Sequence, residues 1–170
     1  FALVRQPLPV WALGVGGLFG YHALYFTALR NAPAAEASLI AFLWPLLIVM
    51  FSALLPGEKL RWYHVAGGLA GFAGSALLIT GGSLDGFRSE YAFGYAMAFA
   101  CAFTWSGYSV LSRRFADVPS DVVALFCGAT AVLSLLSHLA FETTAWPQGS
   151  QWFAVLGLGL GPVGLAFLTW

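Results

Sequence analysis

Charge is scarce in this sequence. Seven basic and seven acidic residues make up 8% of the 170, where a soluble domain carries roughly a quarter. Such scarcity excludes water as the solvent for most of the surface. The formal net charge of zero gives no support for nucleic acid or an acidic macromolecule as a partner. Cysteine is rare too: Cys101 and Cys127 sit in separate apolar stretches, without metal-ligand spacing. They read as small packing residues, and neither a metal nor a cofactor is indicated. No cleavable signal peptide is expected, since no basic segment precedes the first apolar stretch. Phe1 is not an initiator methionine and Trp170 closes a span abruptly, so the sequence reads as a cut through a longer protein, truncated at both ends.

Apolar sequence is what abounds, at 60% of residues. The few charges divide it into stretches of about twenty residues, the length of a helix that crosses a hydrocarbon core. An all-α integral membrane protein with six transmembrane helices is expected. Helix A covers 9–29, B 33–55, C 62–81, D 91–111 and E 122–141, and F runs from 152 to the end. Asn31-Ala32-Pro33 stops A and puts proline in the first turn of B. Pro56-Gly57 ends B, Gly81-Gly82-Ser83 ends C, and Pro119-Ser120-Asp121 caps E. Loops on one side hold Arg5, Lys59, Arg61, Arg113 and Arg114, against Arg30 and Arg88 on the other. That bias places the first side, and the start of helix A, in the cytoplasm.

Helices A and F echo one another. Trp11, Gly16, Gly20, Leu24 and Phe26 recur as Trp152, Gly157, Gly161, Leu165 and Phe167, at a constant offset of 141. Five spans separate the copies, and an odd number turns one copy upside down, as in transporters built from inverted repeats. A chance match between two glycine-rich helices is the competing explanation.

Small residues recur at spacings of three and four on A (Gly16, Gly20, Ala23, Thr27), on C (Gly67, Gly71, Ser75) and on F (Gly157, Gly161). These are expected to be helix-packing faces. Roughly opposite the stripe on A, Tyr21, His22 and Tyr25 fall within about 100° of one another by the helical period. His22 lies near mid-membrane, where an ionisable group is costly and points to function. A neutral histidine bonded to nearby backbone is the plainer alternative. On B, Glu36, Ile40, Trp44 and Leu47 share a face, and Pro45 is expected to kink the helix. Glu36, in the first turn, equally suits a solvated helix start. Helix D sets Cys101, Trp105, Tyr108 and Ser112 on one side, and Pro162 within Gly161-Pro162-Val163-Gly164 marks a second discontinuity in F. An interfacial belt accounts for Trp11, Trp62, Tyr63, Tyr91 and Trp152. Trp44 and Trp105 lie too deep in their spans for that.

The run from Ala23 to Thr80 resembles the EamA repeat of the drug/metabolite transporter superfamily. It has the Ala-Leu close of one helix, a small-residue start of the next, a mid-helix proline, a Gly-Glu-Lys-Leu turn and a glycine-rich last helix. Trp105-Ser-Gly-Tyr-Ser-Val-Leu-Ser-Arg-Arg114 is similar to the end of the first helix of such a repeat. The resemblance implies a ten-helix, 5+5 inverted-repeat fold. Residues 1–82 would be the last three helices of the first repeat, and 83–170 the first three of the second. Leu43-Trp44-Pro45 with Gly161-Pro162-Val163-Gly164 is most similar to the aromatic amino-acid exporters of that superfamily. A cavity between the halves is implied, lined by Tyr21, His22, Trp44 and Trp105, with Tyr25 and Tyr108 adjoining, and with Pro45 and Pro162 as kinks for gating.

The expectation is therefore a bacterial inner-membrane exporter of aromatic or other large apolar amino acids, working by alternating access, surrounded by lipid and compatible with a monomer. Rings can stack on the tryptophans, and an ammonium can use cation–π attraction. With no carboxylate at mid-membrane, facilitated diffusion is favoured, and His22 is the one group left as a proton carrier. An exporter of a nucleobase, a sugar derivative or a drug would use the same fold. A purely structural subunit leaves the polar arc on A unexplained. An intramembrane enzyme would need a nucleophile–base or acidic pair inside the spans, and Ser106 has Thr104, not glycine, two residues before it.

Overall fold

A computed structural model describes residues 6–80, 82, 88–115, 118–119, 121–161 and 165. The described residues are helical or irregular, with no strand among them. In chain order the helices are α1 (Leu8–Asn31), α2 (Ala34–Ala41), α3 (Trp44–Ser52), α4 (Trp62–Thr80), α5 (Ala92–Ser112), α6 (Val122–Phe141) and α7 (Gln151–Leu160). Among the described residues, three stretches are long and apolar enough to cross a membrane: Leu8–Asn31, Ala34–Ser52 and Val122–Phe141. Helices α4 and α5 have 19 and 21 residues.

Local chemistry sets the boundaries. Helix α1 has Pro9 in its first turn, where the missing N–H would be unbonded anyway. It ends at Ala32, held extended (φ −151°, ψ 158°) ahead of Pro33. In the second apolar stretch Pro45 has a larger effect than a kink. Its ring has no N–H to offer the carbonyl of Ala41, and the helix breaks at Phe42-Leu43 into α2 and α3. The break is closed by a tight turn in which the Leu43 amide donates to Ile40 (3.1 Å) and the Phe42 amide to Ser38 (2.9 Å). Pro162 lies outside the described residues.

Helix α5 is the hub. It packs most extensively on α1 and also touches α2 and α3, while α6 packs on α1 and α4 on α3 and α2. The buried residues of α5 include Gly94, Ala98, Ala102, Ser106 and Val110, spaced four apart. One face is thus almost without side chains, and neighbouring backbones can approach it closely. A Cβ added to Gly94 would lie 2.6 Å from the backbone of Asn31 and from Ala32 Cβ. Nearby, Ala28, Ala32, Ala37 and Ala98 form a cluster of small buried side chains.

Within the described residues, the expected packing glycines are not the ones in close contact. A Cβ on Gly16, Gly67, Gly71, Gly157 or Gly161 meets nothing within 4 Å, and one on Gly20 meets only Thr104, at an ordinary 3.5 Å. The close contacts fall at Gly14, against Phe126, at Gly17, 2.5 Å from the Tyr108 ring, at Gly68, 2.7 Å from Leu46, and at Gly94. The reason is rotational. Each residue turns the helix by about 100°, and α1 presents Gly14, Gly17 and Tyr21 to α5 and α6 instead of Gly16 and Ala23. Large apolar side chains such as Trp62 (80%), Phe141 (84%) and Phe153 (79%) stand exposed, as expected where lipid is the solvent.

Substituting Gly17 or Gly94 by leucine should lower stability by about 2–3 kcal/mol through overpacking. Thermal unfolding in detergent checks this, and an unchanged transition for both variants would remove the α1–α5 contact from the account.

Candidate functional site

Four of the six expected site residues form one chain of ring contacts between α1 and α5. Tyr21 lies 4.9 Å from Trp105, centroid to centroid, at 49°. Tyr25, one turn further along α1, stacks parallel to Tyr21 at 6.0 Å and 9°. On α5, Trp105 meets Tyr108 at 5.5 Å. Offset and tilted rings at these separations are favourable by about 0.5–1.5 kcal/mol each beyond the area they bury. Tyr108 sits over Gly17, whose lack of a side chain makes the space. The Tyr25 hydroxyl shares a hydrogen bond with Ser38 Oγ of α2 at 3.1 Å, so the half-helix before the break also holds the cluster.

Trp44 is placed differently. Its ring makes no aromatic contact among the described residues, and it stands half-buried at the start of α3. Its carbonyl, next to the break, lies 3.0 Å from Ser106 Oγ, which is also 2.7 Å from the carbonyl of Ala102. The single Ser106 proton therefore serves two acceptors. A buried hydroxyl from α5 thus ties that helix to the first residue of α3, in a medium that offers no water as an alternative partner.

His22 is beside Tyr21, edge to face at 5.1 Å, yet it looks elsewhere. It lines a cleft of about 280 Å³ between α1 and α6, with Leu18, Phe26, Cys127, Thr130 and Ser134. Its Nδ1 donates to the carbonyl of Leu18 at 2.7 Å. Because a carbonyl only accepts, the proton is on Nδ1, which leaves Nε2 as an acceptor in the neutral ring. In the same cleft Thr130 Oγ1 is buried without a partner. The arc of Tyr21, His22 and Tyr25 is thus divided between an aromatic seam facing α5 and a small polar-apolar cleft facing α6.

Ser38, Ser106 and Thr130 were absent from the sequence-based candidates. Ser106 had a readable signal, lying on the four-residue repeat of small side chains along α5. Ser38 and Thr130 had none, because single hydroxyls in apolar helices commonly bond their own backbone.

Ion pairs tie the outer ends of the helices. Arg113, after α5, donates to Glu58 in the α3–α4 connection at 2.9 Å. At the opposite ends of α1 and α6, Glu142 accepts from Arg30 and, at 2.6 Å, from His138 Nδ1. The hydrogen bond from His138, and then that from Arg30, hold the Glu142 carboxyl below the usual carboxylate range.

Apolar helices, a helix break and an aromatic seam between helices fit a polytopic membrane protein of the transporter class. Residues 3–80 match the EamA-like transporter family. Over those residues the chain is like that family of the drug/metabolite transporter superfamily, and over nearly its whole length it is similar to the YddG-type members. It is 61% identical over 172 residues to the aromatic amino acid exporter YddG of Ancylobacter novellus, covering 99% of this chain and 59% of that protein. Identity is 26% to a probable terminal-alkyne amino-acid exporter of Streptantibioticus cattleyicolor (98% of this chain, 58% of the relative) and 25% to YddG of Salmonella typhimurium (87% and 52%). A crystal structure 60% identical in sequence superposes with a TM-score of 0.91 over 99% of this chain and 59% of its own. The chain therefore spans between half and three-fifths of the length of these relatives, which are transporters and exporters, not enzymes.

A pH prediction follows from Glu142. A carboxyl whose folded pKa is depressed stabilises the fold above its unfolded pKa and loses that contribution as pH falls through the folded value. Glu142→Gln should therefore unfold at lower temperature than wild type near neutral pH. The gap should close below the ordinary carboxylate range, where the wild type is protonated too. Thermal scans of both proteins from pH 7 to pH 3 test this, and a gap independent of pH would count against the pair.

Proposed function

We propose that the full-length protein is a ten-helix transporter of the inner membrane that exports aromatic or other large apolar amino acids by alternating access. In this reading residues 1–82 and 83–170 belong to two inverted repeats, and the chain contributes six spans, with the start of α1 in the cytoplasm. The observation that carries it is the Tyr21–Trp105 contact at 4.9 Å. One ring comes from each proposed repeat, and the seam between repeats is where transporters of this construction bind cargo. A substrate ring can replace either partner in the stack with little change in energy, which suits reversible binding. The hydroxyls of Tyr25, Ser38 and Tyr108 can serve the polar end of an amino acid.

Relatives named as aromatic amino acid and terminal-alkyne amino-acid exporters favour the same class of cargo. The break at Phe42-Leu43 supplies backbone next to the seam that can rearrange between states. The open faces of Gly16 and Gly157 would pack against the remainder of the protein. The described rings of the seam, Tyr21, Tyr25, Trp105 and Tyr108, include no carboxylate, which favours net movement down the substrate gradient.

Tryptophan flux into liposomes holding the full-length protein is the test. It should saturate, persist when the proton gradient is collapsed, and lose affinity by several-fold up to about ten-fold in Trp105→Ala and Tyr21→Ala. A folded wild type that carries no aromatic amino acid removes this cargo and leaves an exporter of another metabolite.

A further inference from the structure

A second cavity lies away from the aromatic seam. It has a volume of about 470 Å³ and opens between the end of α3, the connection to α4, the first turns of α4 and Arg113. Val49 and Ala53 give it an apolar wall, while Lys59, Tyr63 and His64 bring polar groups to it. Glu58, the acidic group of the lining, is engaged by Arg113 at 2.9 Å. Lys59 has no carboxylate partner among the described residues. The lining thus offers an uncompensated cation and favours an anion over a zwitterion. Arg61 adds a second positive charge at the rim, 5.9 Å above the Tyr63 ring.

The surroundings are apolar. Leu54 (76% exposed) and Trp62 (80%) adjoin the lining residues Ala53 and Tyr63 in sequence, a combination of tryptophan, aliphatic and basic side chains found at the level of lipid headgroups. Gly67 forms part of the wall, and a side chain there would meet nothing within 4 Å. Room is therefore left beside the charged groups, along α4, for the start of a hydrocarbon chain.

We propose that this cavity holds the phosphate headgroup of an anionic phospholipid from the leaflet on the basic side of the membrane. Lys59 supplies the principal charge, Tyr63 and His64 supply hydrogen bonds, and the gap at Gly67 admits the first carbons of an acyl chain. Basic pockets between helices on the cytoplasmic side bind lipid headgroups by the same physics. The site is independent of which cargo crosses the seam.

Native mass spectrometry of the full-length protein with phosphatidylglycerol and phosphatidylcholine tests the proposal. Phosphatidylglycerol should bind more tightly than phosphatidylcholine. Lys59→Gln should weaken it about five-fold, and Gly67→Leu, which fills the cavity without altering charge, should also weaken it. Arg88→Gln, on a different connection, should leave it unchanged. Wild-type phosphatidylglycerol affinity in folded Lys59→Gln overturns the assignment, whether or not Gly67→Leu folds. Competition by glycerol 3-phosphate as effective as by the lipid overturns it as well, because the site would then serve free phosphate esters.

Discussion

Helices in lipid are not driven together by the hydrophobic effect, since hydrocarbon tails are as apolar as leucine. What remains is dispersion between closely fitted surfaces, and here that fit rests on one face of α5. Gly94, Ala98, Ala102, Ser106 and Val110 keep that face low along four turns. The consequence at one end is contact of Gly94 with the backbone at Asn31. At the other, Tyr108 covers Gly17, and Trp105 is held within stacking distance of Tyr21. A shift of α5 by a single methyl group would open this seam, because dispersion falls steeply over 0.5–1 Å. The ion pairs at the two membrane faces cannot substitute for this contact. Arg30 is 58% exposed and Arg113 54%, and such pairs contribute only about 0–1 kcal/mol.

The same face also carries a polar contact. Pro45 breaks the second apolar stretch within the membrane. Ser106, on the packing register of α5, reaches the carbonyl of Trp44, the first residue of α3 after that break. The hydroxyl costs little in volume, because serine is nearly as small as Ala102, one step before it on the register. One residue thus combines close packing with a side-chain hydrogen bond that ties α5 to α3.

Much of this was legible in the residues. Low charge and apolar stretches bounded by proline and glycine give the helical membrane architecture, since both follow from solvent chemistry alone. Helical periodicity also groups Tyr21 with Tyr25, and Trp105 with Tyr108. The choice between faces was not legible. Helix α1 carries Gly14 and Gly17 as well as Gly16 and Gly20, and each pair makes a plausible stripe. Only the position of α5 and α6 selects the first. His22 shows the same limit at finer scale. One residue beyond Tyr21 is about 100° of rotation, within the width of one face by pattern but enough to turn the imidazole from α5 toward α6. The packing stripe of α5 was legible only as a four-residue repeat of small side chains, a weak signal because alanine and serine stand at most of its positions in a chain rich in alanine.

The distribution of contact between the two proposed repeats bears on how such a protein moves. Apolar contact between them runs along α1 and α5, a seam of small side chains with few interlocking projections apart from its aromatic rings. Charge contact lies at both ends, Glu58 with Arg113 and Arg30 with Glu142. A low-relief seam resists sliding less than one of interdigitated leucines, because fewer side chains must leave their rotamer wells. Exposed ion pairs exchange with water at little cost, so either end can open without first breaking a strong link. The rings that do project are Tyr21, Tyr25, Trp105 and Tyr108, and under the proposed alternating access, movement of the repeats would part Tyr21 from Trp105. A substrate ring inserted between them would replace the lost stacking, and so would couple occupancy of the seam to the ease of opening it.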